Sequence, residues 1–256
     1  MKKPALGFLL VALLAVFVIS TIVFAEPQQQ PIGPDTLDEL GSSRHTPAVI
    51  PSKEAYAGNV TELSVDTQST TLGWQGYYGN VTGTITLDDA SNNTMYDWAI
   101  AHPEGEVYAA IAQVSNWDLV ACATPENISY IENNTYKFNT YPNETLKSDT
   151  DVDSILNTFN TSFAGDFYVG STRINAASGC SAAYLYVNDA PDATHAFTET
   201  LLYDQTAQNL IFTSLLHQYG TAGFDTLSHD FQMLVAENGH NGEETTTTYY
   251  FYVEIQ

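Results

Sequence analysis

Residues 74–98 read Trp74-Gln-Gly-Tyr77-Tyr-Gly-Asn80-Val-Thr-Gly-Thr-Ile85-Thr-Leu-Asp-Asp-Ala90-Ser-Asn-Asn-Thr-Met95-Tyr-Asp-Trp98. From Tyr77 to Leu87 the stretch alternates. Tyr77, Val81, Ile85 and Leu87 fall on one side, and Asn80, Thr82, Thr84 and Thr86 on the other. β-Branched residues at period two are the signal of a half-buried strand. Asp88 to Asn93 is a cluster of turn formers, after which Tyr96, Trp98 and Ile100 resume the alternation. The whole predicts a hairpin with a connection longer than two residues.

Working outward, strand signals recur at Val107–Val114, Trp117–Ala123, Phe167–Ile174 and Ala182–Val187. Two further hairpins are predicted, Phe197–Tyr203 with Leu210–His217 and Asp230–Ala236 with Thr247–Ile255. Val152, Ile155, Leu156, Phe159 and Phe163 recur at helical spacing, which predicts one helix over Thr150–Phe163. The polar segment Pro125–Lys147 reads as loop. The expectation is an all-β fold: a β-sandwich, Ig-like or jelly-roll-like, with one short crossing helix, occupying residues 59–256 as a single extracellular domain.

Before that domain, Met-Lys-Lys and an uncharged run to Ala25 have the form of a signal peptide or an N-terminal membrane anchor. Either places residues 26–256 outside the cell, and any contact with membrane is expected through this segment only. Residues 26–58 contain five of the ten prolines and read as a spacer, mostly extended, with a short helix near Thr36–Leu40. The formal charge of −23 arises from 30 acidic residues against only 7 basic ones. Such a surface excludes nucleic acid and anionic lipid as partners. Other surface proteins, further copies of the chain and neutral glycans remain.

Cys122 and Cys180 are the only cysteines, and an even count in an exported chain reads as a disulfide. The alternative is a nucleophilic thiol at Cys180. Seven sequons, at Asn59, Asn80, Asn92, Asn127, Asn133, Asn143 and Asn160, are candidate glycosylation sites. Asp88, Asp89 and Asn92 form a candidate calcium loop, although turn chemistry also accounts for them. Asp149, Asp151 and Asp153 alternate like calcium ligands, but residue types at the sixth and twelfth positions favour helix capping. No other cofactor is expected. The six histidines are scattered, without a His-Glu-X-X-His pair, and no nucleophile elbow or phosphate loop is present. Trp74, Tyr77 and Tyr78 are candidates for stacking on sugar. Asn59–Val65, with Leu63 and Val65 on one side, is a candidate segment for strand addition to the chain's own sheet or to a neighbour.

Trp74–Ala90, Tyr96-Asp-Trp98, Asp230–Gly239 and Thr245–Glu254 together resemble a family of exported archaeal cell-surface proteins. Members of that family tend to carry Pro where this chain has Ala236. The resemblance implies an extracellular β domain, secreted or membrane-anchored, and no reaction. The expected function is therefore non-enzymatic: a cell-surface protein with a structural, adhesive or filament-forming role. A carbohydrate-binding module, with calcium ordering a loop, is the alternative, and a polysaccharide hydrolase comes third.

Overall fold

A computed structural model describes residues 30–46, 49–68, 70–100, 102–137, 152–217, 220–237 and 246–255. The fold is mostly β-stranded. In chain order the strands are β1 Trp74–Gly79, β2 Thr84–Asp88, β3 Thr94–Ala99, β4 Gly105–Ala110, β5 Val120–Cys122, β6 Thr161–Ser162, β7 Asp166–Val169, β8 Thr172–Asn175, β9 Ser181–Tyr184, β10 Thr198–Asp204, β11 Asn209–Leu215, β12 Phe231–Ala236 and β13 Tyr250–Ile255. Two helices, α1 Pro125–Asn134 and the single turn α2 Ile155–Thr158, complete the framework with 3-10 turns at Trp117–Leu119 and Ala176–Ser178.

The centre is a seven-stranded antiparallel sheet in the order β13-β4-β11-β10-β9-β6, with β5 also paired to β10. Both of its faces are covered. Val107, Ala109, Leu201 and Phe212 face a cluster with Ile128, Ile131 and Phe159 of the helical side and Met233 and Val235 of β12. Tyr108, Ala110, Leu202 and Ile211 face a second cluster with Trp117, Phe163 and the β7–β8 hairpin. Double burial explains why β4, β10 and β11 are nearly continuous apolar runs rather than clean alternations. Cys122 of β5 and Cys180 are joined by a disulfide, with Cα atoms 4.7 Å apart, on the second face.

β1 pairs with β12 as a separate ribbon lying over the first face. The edge of β12 that β1 leaves open meets two side chains from the large sheet. Leu234 N donates to Glu199 Oε2 at 2.8 Å, and Ser214 Oγ donates to Gln232 O at 2.7 Å. Glu199 and Ser214 are register partners on β10 and β11, so one cross-strand pair satisfies the buried ribbon edge. Complete burial pushes the Glu199 carboxyl well above its ordinary range, although the Leu234 amide favours the ion.

Several expectations are corrected. The strand read through Tyr77–Leu87 breaks at residues 80–83, where Val81 N donates to Asp230 Oδ2. β1 therefore belongs to the ribbon, and the predicted hairpin is β2–β3 alone. The last two strands form no hairpin: β12 pairs with β1, and β13 pairs with β4. Phe167–Ile174 is two strands, because Gly170 (φ 56°) turns the chain in a conformation that glycine adopts without strain. The helix expected over Thr150–Phe163 shrinks to α2, capped by Ser154, and residues 150 and 151 lie outside the described ones. The longer helix is α1, in the segment read as loop. A Thr124/Asn127 capping box and Pro125 in the first turn start it. Asn59–Val65 forms no strand, nor Thr36–Leu40 a helix. The expected transmembrane helix is also corrected: among the described residues no helix is long and apolar enough to cross a membrane. Residues 1–25, on which that expectation rested, lie outside the described residues.

Candidate functional site

The β2–β3 hairpin stands apart from this framework. All of its strand residues are exposed, on both faces. The register sets Ile85 opposite Trp98 and Leu87 opposite Tyr96, so these four large apolar side chains share one face. They are 48–59 % exposed, and the Tyr96 and Trp98 rings lie 4.9 Å apart. Met95, 81 % exposed, occupies the bulge between the last two register pairs. Thr84, Thr86 and Asp97 lie on the opposite face. A two-stranded hairpin is marginal in water without a packed face. A contiguous exposed apolar face marks an interaction surface.

The hairpin tip accounts for the candidate calcium residues. Asp89 accepts hydrogen bonds from Ser91 N, Asn93 N and Asn93 Nδ2 at 2.8–2.9 Å. These bonds, those from Asn93 foremost, hold its carboxyl below the ordinary range. Asp88 accepts from Thr86 Oγ1, and Asn92 takes a left-handed conformation at φ 61°. Asp153 accepts from Thr71 Oγ1, whereas Asp149 and Asp151 lie outside the described residues. Among the described residues no three His, Cys, Asp or Glu side chains are grouped to hold a metal ion.

The three aromatic candidates separate. Trp74 turns inward, its ring centroid 6.2 Å from Phe159 and 6.4 Å from Phe212, and its Nε1 donates to Asp153 O at 2.7 Å. It is half-buried and packs against the core cluster of the first face. Tyr77 lies edge-on to Phe251 at 5.2 Å. Tyr78 remains exposed and joins Phe224 (5.0 Å) and His229 (4.7 Å) in a surface cluster. His229 Nε2 lies 2.8 Å from Asp225 Oδ1. Burial acts to raise the Asp225 carboxyl, but hydrogen bonds from Leu227 N and His229 outweigh it and hold the group low. Next to this cluster in the chain, Asn80, Val81, Thr82, Ser228 and Asp230 line an open cavity of about 320 Å³ with Ile100, His102 and Pro103.

A third cluster is buried. Glu106 and Glu254 are register partners on β4 and β13, and Tyr108 Oη lies 3.5 Å from one carboxylate and 3.1 Å from the other. Gly170 N donates to both oxygens of Glu254 at 3.1 Å. Burial, then the neighbouring Glu254 charge, push Glu106 up to about 9, against a smaller opposing effect of the Tyr108 hydroxyl. Burial raises Glu254 as well, with the Gly170 amide working against it. Gly105, at φ 133°, allows this approach, because a Cβ there would fall onto the Glu254 carbonyl. Neither the β2–β3 face nor this acid pair follows from motif reading. The pair does have a sequence signal: each Glu has the same parity as a buried or half-buried Tyr two residues away in an apolar strand.

Of the sequon asparagines, Asn59, Asn80, Asn92 and Asn160 are exposed. Asn127 and Asn133 sit half-buried on α1, and Asn143 lies outside the described residues. In the 49–68 stretch Val60, Leu63 and Val65 are exposed, and among the described residues this stretch pairs with no strand. Comparison with protein-family models, with curated proteins and with solved structures finds no match.

Proposed function

We propose that the chain is a non-enzymatic structural subunit of an extracellular assembly, associating with further copies of itself through the β2–β3 hairpin. The observation that carries this reading is the apolar face Ile85, Leu87, Tyr96 and Trp98, left about half exposed on a hairpin whose strand residues, among those described, are exposed on both faces. The Cys122–Cys180 disulfide favours an oxidising, extracellular location. So does the signal-like start of the sequence. In this reading the β1–β12 ribbon and the central sheet are the two layers of a β-sandwich, and the hairpin projects from its rim.

Completing the burial of four half-exposed side chains contributes about 1 kcal/mol each. Replacing two of them, Tyr96→Ser and Trp98→Ser, should weaken self-association about 30-fold, since 1.4 kcal/mol is tenfold in affinity. Sedimentation velocity over a concentration series measures this, with circular dichroism as the check on folding. A wild-type protein that stays monomeric throughout the series sinks the proposal.

A second reading has its own observation. Tyr78 and Phe224 flank the His229–Asp225 pair beside the cavity at Asn80, an arrangement suited to a neutral sugar. Glycan-array binding that is lost on Tyr78→Ala favours it over the assembly reading.

A further inference from the structure

The outer edge of the central sheet already carries a seated segment of this chain's own N-terminal region. Ile32 N donates to Val253 O at 3.0 Å, and Val253 N donates to Ile32 O at 2.8 Å, forming an isolated antiparallel bridge on β13. Successive residues of a strand point their amide groups to opposite sides. Phe251, Val253 and Ile255 therefore face outward from β4, and only Val253 is paired there among the described residues. Pro34, the next residue whose amide would face β13, has no N–H, so the pairing does not continue past Ile32 in that direction. A side-chain bond from Gln30 Nε2 to Asp118 Oδ1 at 3.2 Å adds to the seat.

The chain from this seat to β1 runs through residues 33–73 and contributes no strand or helix among those described. We propose that the Gln30–Pro34 segment exchanges between copies, so that Ile32 of one chain seats on β13 of the next and links subunits head to tail. This rests on the self-association proposed above. The exchanged bridge makes the same hydrogen bonds as the closed one, which is the condition for low-cost swapping. A tether of about 40 residues has a root-mean-square span of roughly 35 Å, so the chain's own segment is held at only a millimolar effective concentration. A neighbour docked through the β2–β3 face presents its segment at comparable concentration. Because each chain donates one segment and offers one edge, the contact is heterologous and propagates.

The test uses two full-length single variants, Ile32→Cys and Val253→Cys, each with a distinguishable mass tag. They are mixed in reducing buffer under assembly conditions, separated from reductant and oxidised. The Cys122–Cys180 pair closes beneath the surface, with Cys180 fully buried. The expected result is a covalent heterodimer whose bridging peptide joins residues 32 and 253. The double variant in one chain should likewise give a ladder of linked chains that lengthens with protein concentration. Assembly with an exclusively intramolecular 32–253 link in the double variant overturns exchange but leaves self-association standing. A monomeric protein overturns both. Ile32→Pro, which removes the donated N–H without introducing a thiol, should raise the concentration needed for assembly at least tenfold. An unchanged threshold also overturns the exchange.

Discussion

Replacing Glu106 by Gln should stabilise the protein near neutral pH and do nothing in acid. Glu106 is 3 % exposed, paired in register with Glu254, and its carboxyl is pushed from an ordinary 4.5 up to about 9. Below pH 4.5 both the folded and unfolded chains hold the proton, and burial imposes no pH-dependent cost. Between 4.5 and 9 the unfolded chain releases the proton while the folded chain keeps it, so stability falls by about 1.4 kcal/mol per pH unit. At pH 7 the accumulated loss is about 3 kcal/mol. Glutamine cannot ionise, yet its amide oxygen can still accept from Tyr108 and its NH₂ can face Glu254. The variant should therefore gain about 3 kcal/mol at pH 7, or roughly 6–12 °C in Tm for a chain of this length. Denaturant unfolding of both proteins at pH 4, 7 and 9 measures it, with the curves meeting at pH 4. The same change at Glu254 should gain less, because the Gly170 amide supports that carboxylate. Equal destabilisation by Glu106→Gln at pH 4 and pH 7 would refute the reasoning, since the carboxyl would then matter for shape and not for charge.

Two further outcomes separate roles within the fold. Replacing Cys122 and Cys180 together by Ala opens a loop whose ends are 58 residues apart. It should cost about 4 kcal/mol in the chain-entropy picture, read as a lower denaturant midpoint. Trp74→Ala should lose about 3 kcal/mol or more in the same assay, because the ring packs on Phe159 and Phe212. Unchanged stability would return Trp74 to the candidates for ligand contact.

The alternation at Ile85–Leu87 and Tyr96–Trp98 was enough to define a hairpin, because period two is a local property. What covers its apolar face is not local. Alternation has the same form on a strand packed against its own core and on one awaiting a neighbour, so one buried face was the natural expectation and exposure on both faces the finding. The same limit explains β1 and β12: each was legible as a strand, but they are about 150 residues apart and their pairing is set by packing over β10 and β11. Asn59–Val65 failed for a related reason. Its apolar positions suit a strand, yet a strand needs an edge, and among the described residues Ile32 reaches β13 instead. In α1 the opposite happened. The mean polarity of Pro125–Asn134 concealed a helix that Ile128 and Ile131 anchor and that the capping box begins. Capping residues carried information there that hydropathy did not.

Charge gives the association proposal a sharper test. A formal −23 per chain means that copies repel at neutral pH, and only 7 basic residues are available to bridge them. Asp88, Asp89 and Asp97 place part of that charge on the hairpin itself. The attraction must then be apolar and the opposition electrostatic. Salt should strengthen assembly at pH 7, since screening shortens from about 30 Å at 0.01 M to about 3 Å at 1 M. Near pH 4, close to the isoelectric point of about 4.1, the net charge of each copy almost vanishes, and assembly should be stronger and nearly independent of salt. Light scattering against protein concentration, at low and high salt and at both pH values, reads the threshold directly. If salt instead raises the threshold at pH 7, ion pairs hold the copies together and the Tyr96–Trp98 face is not the contact.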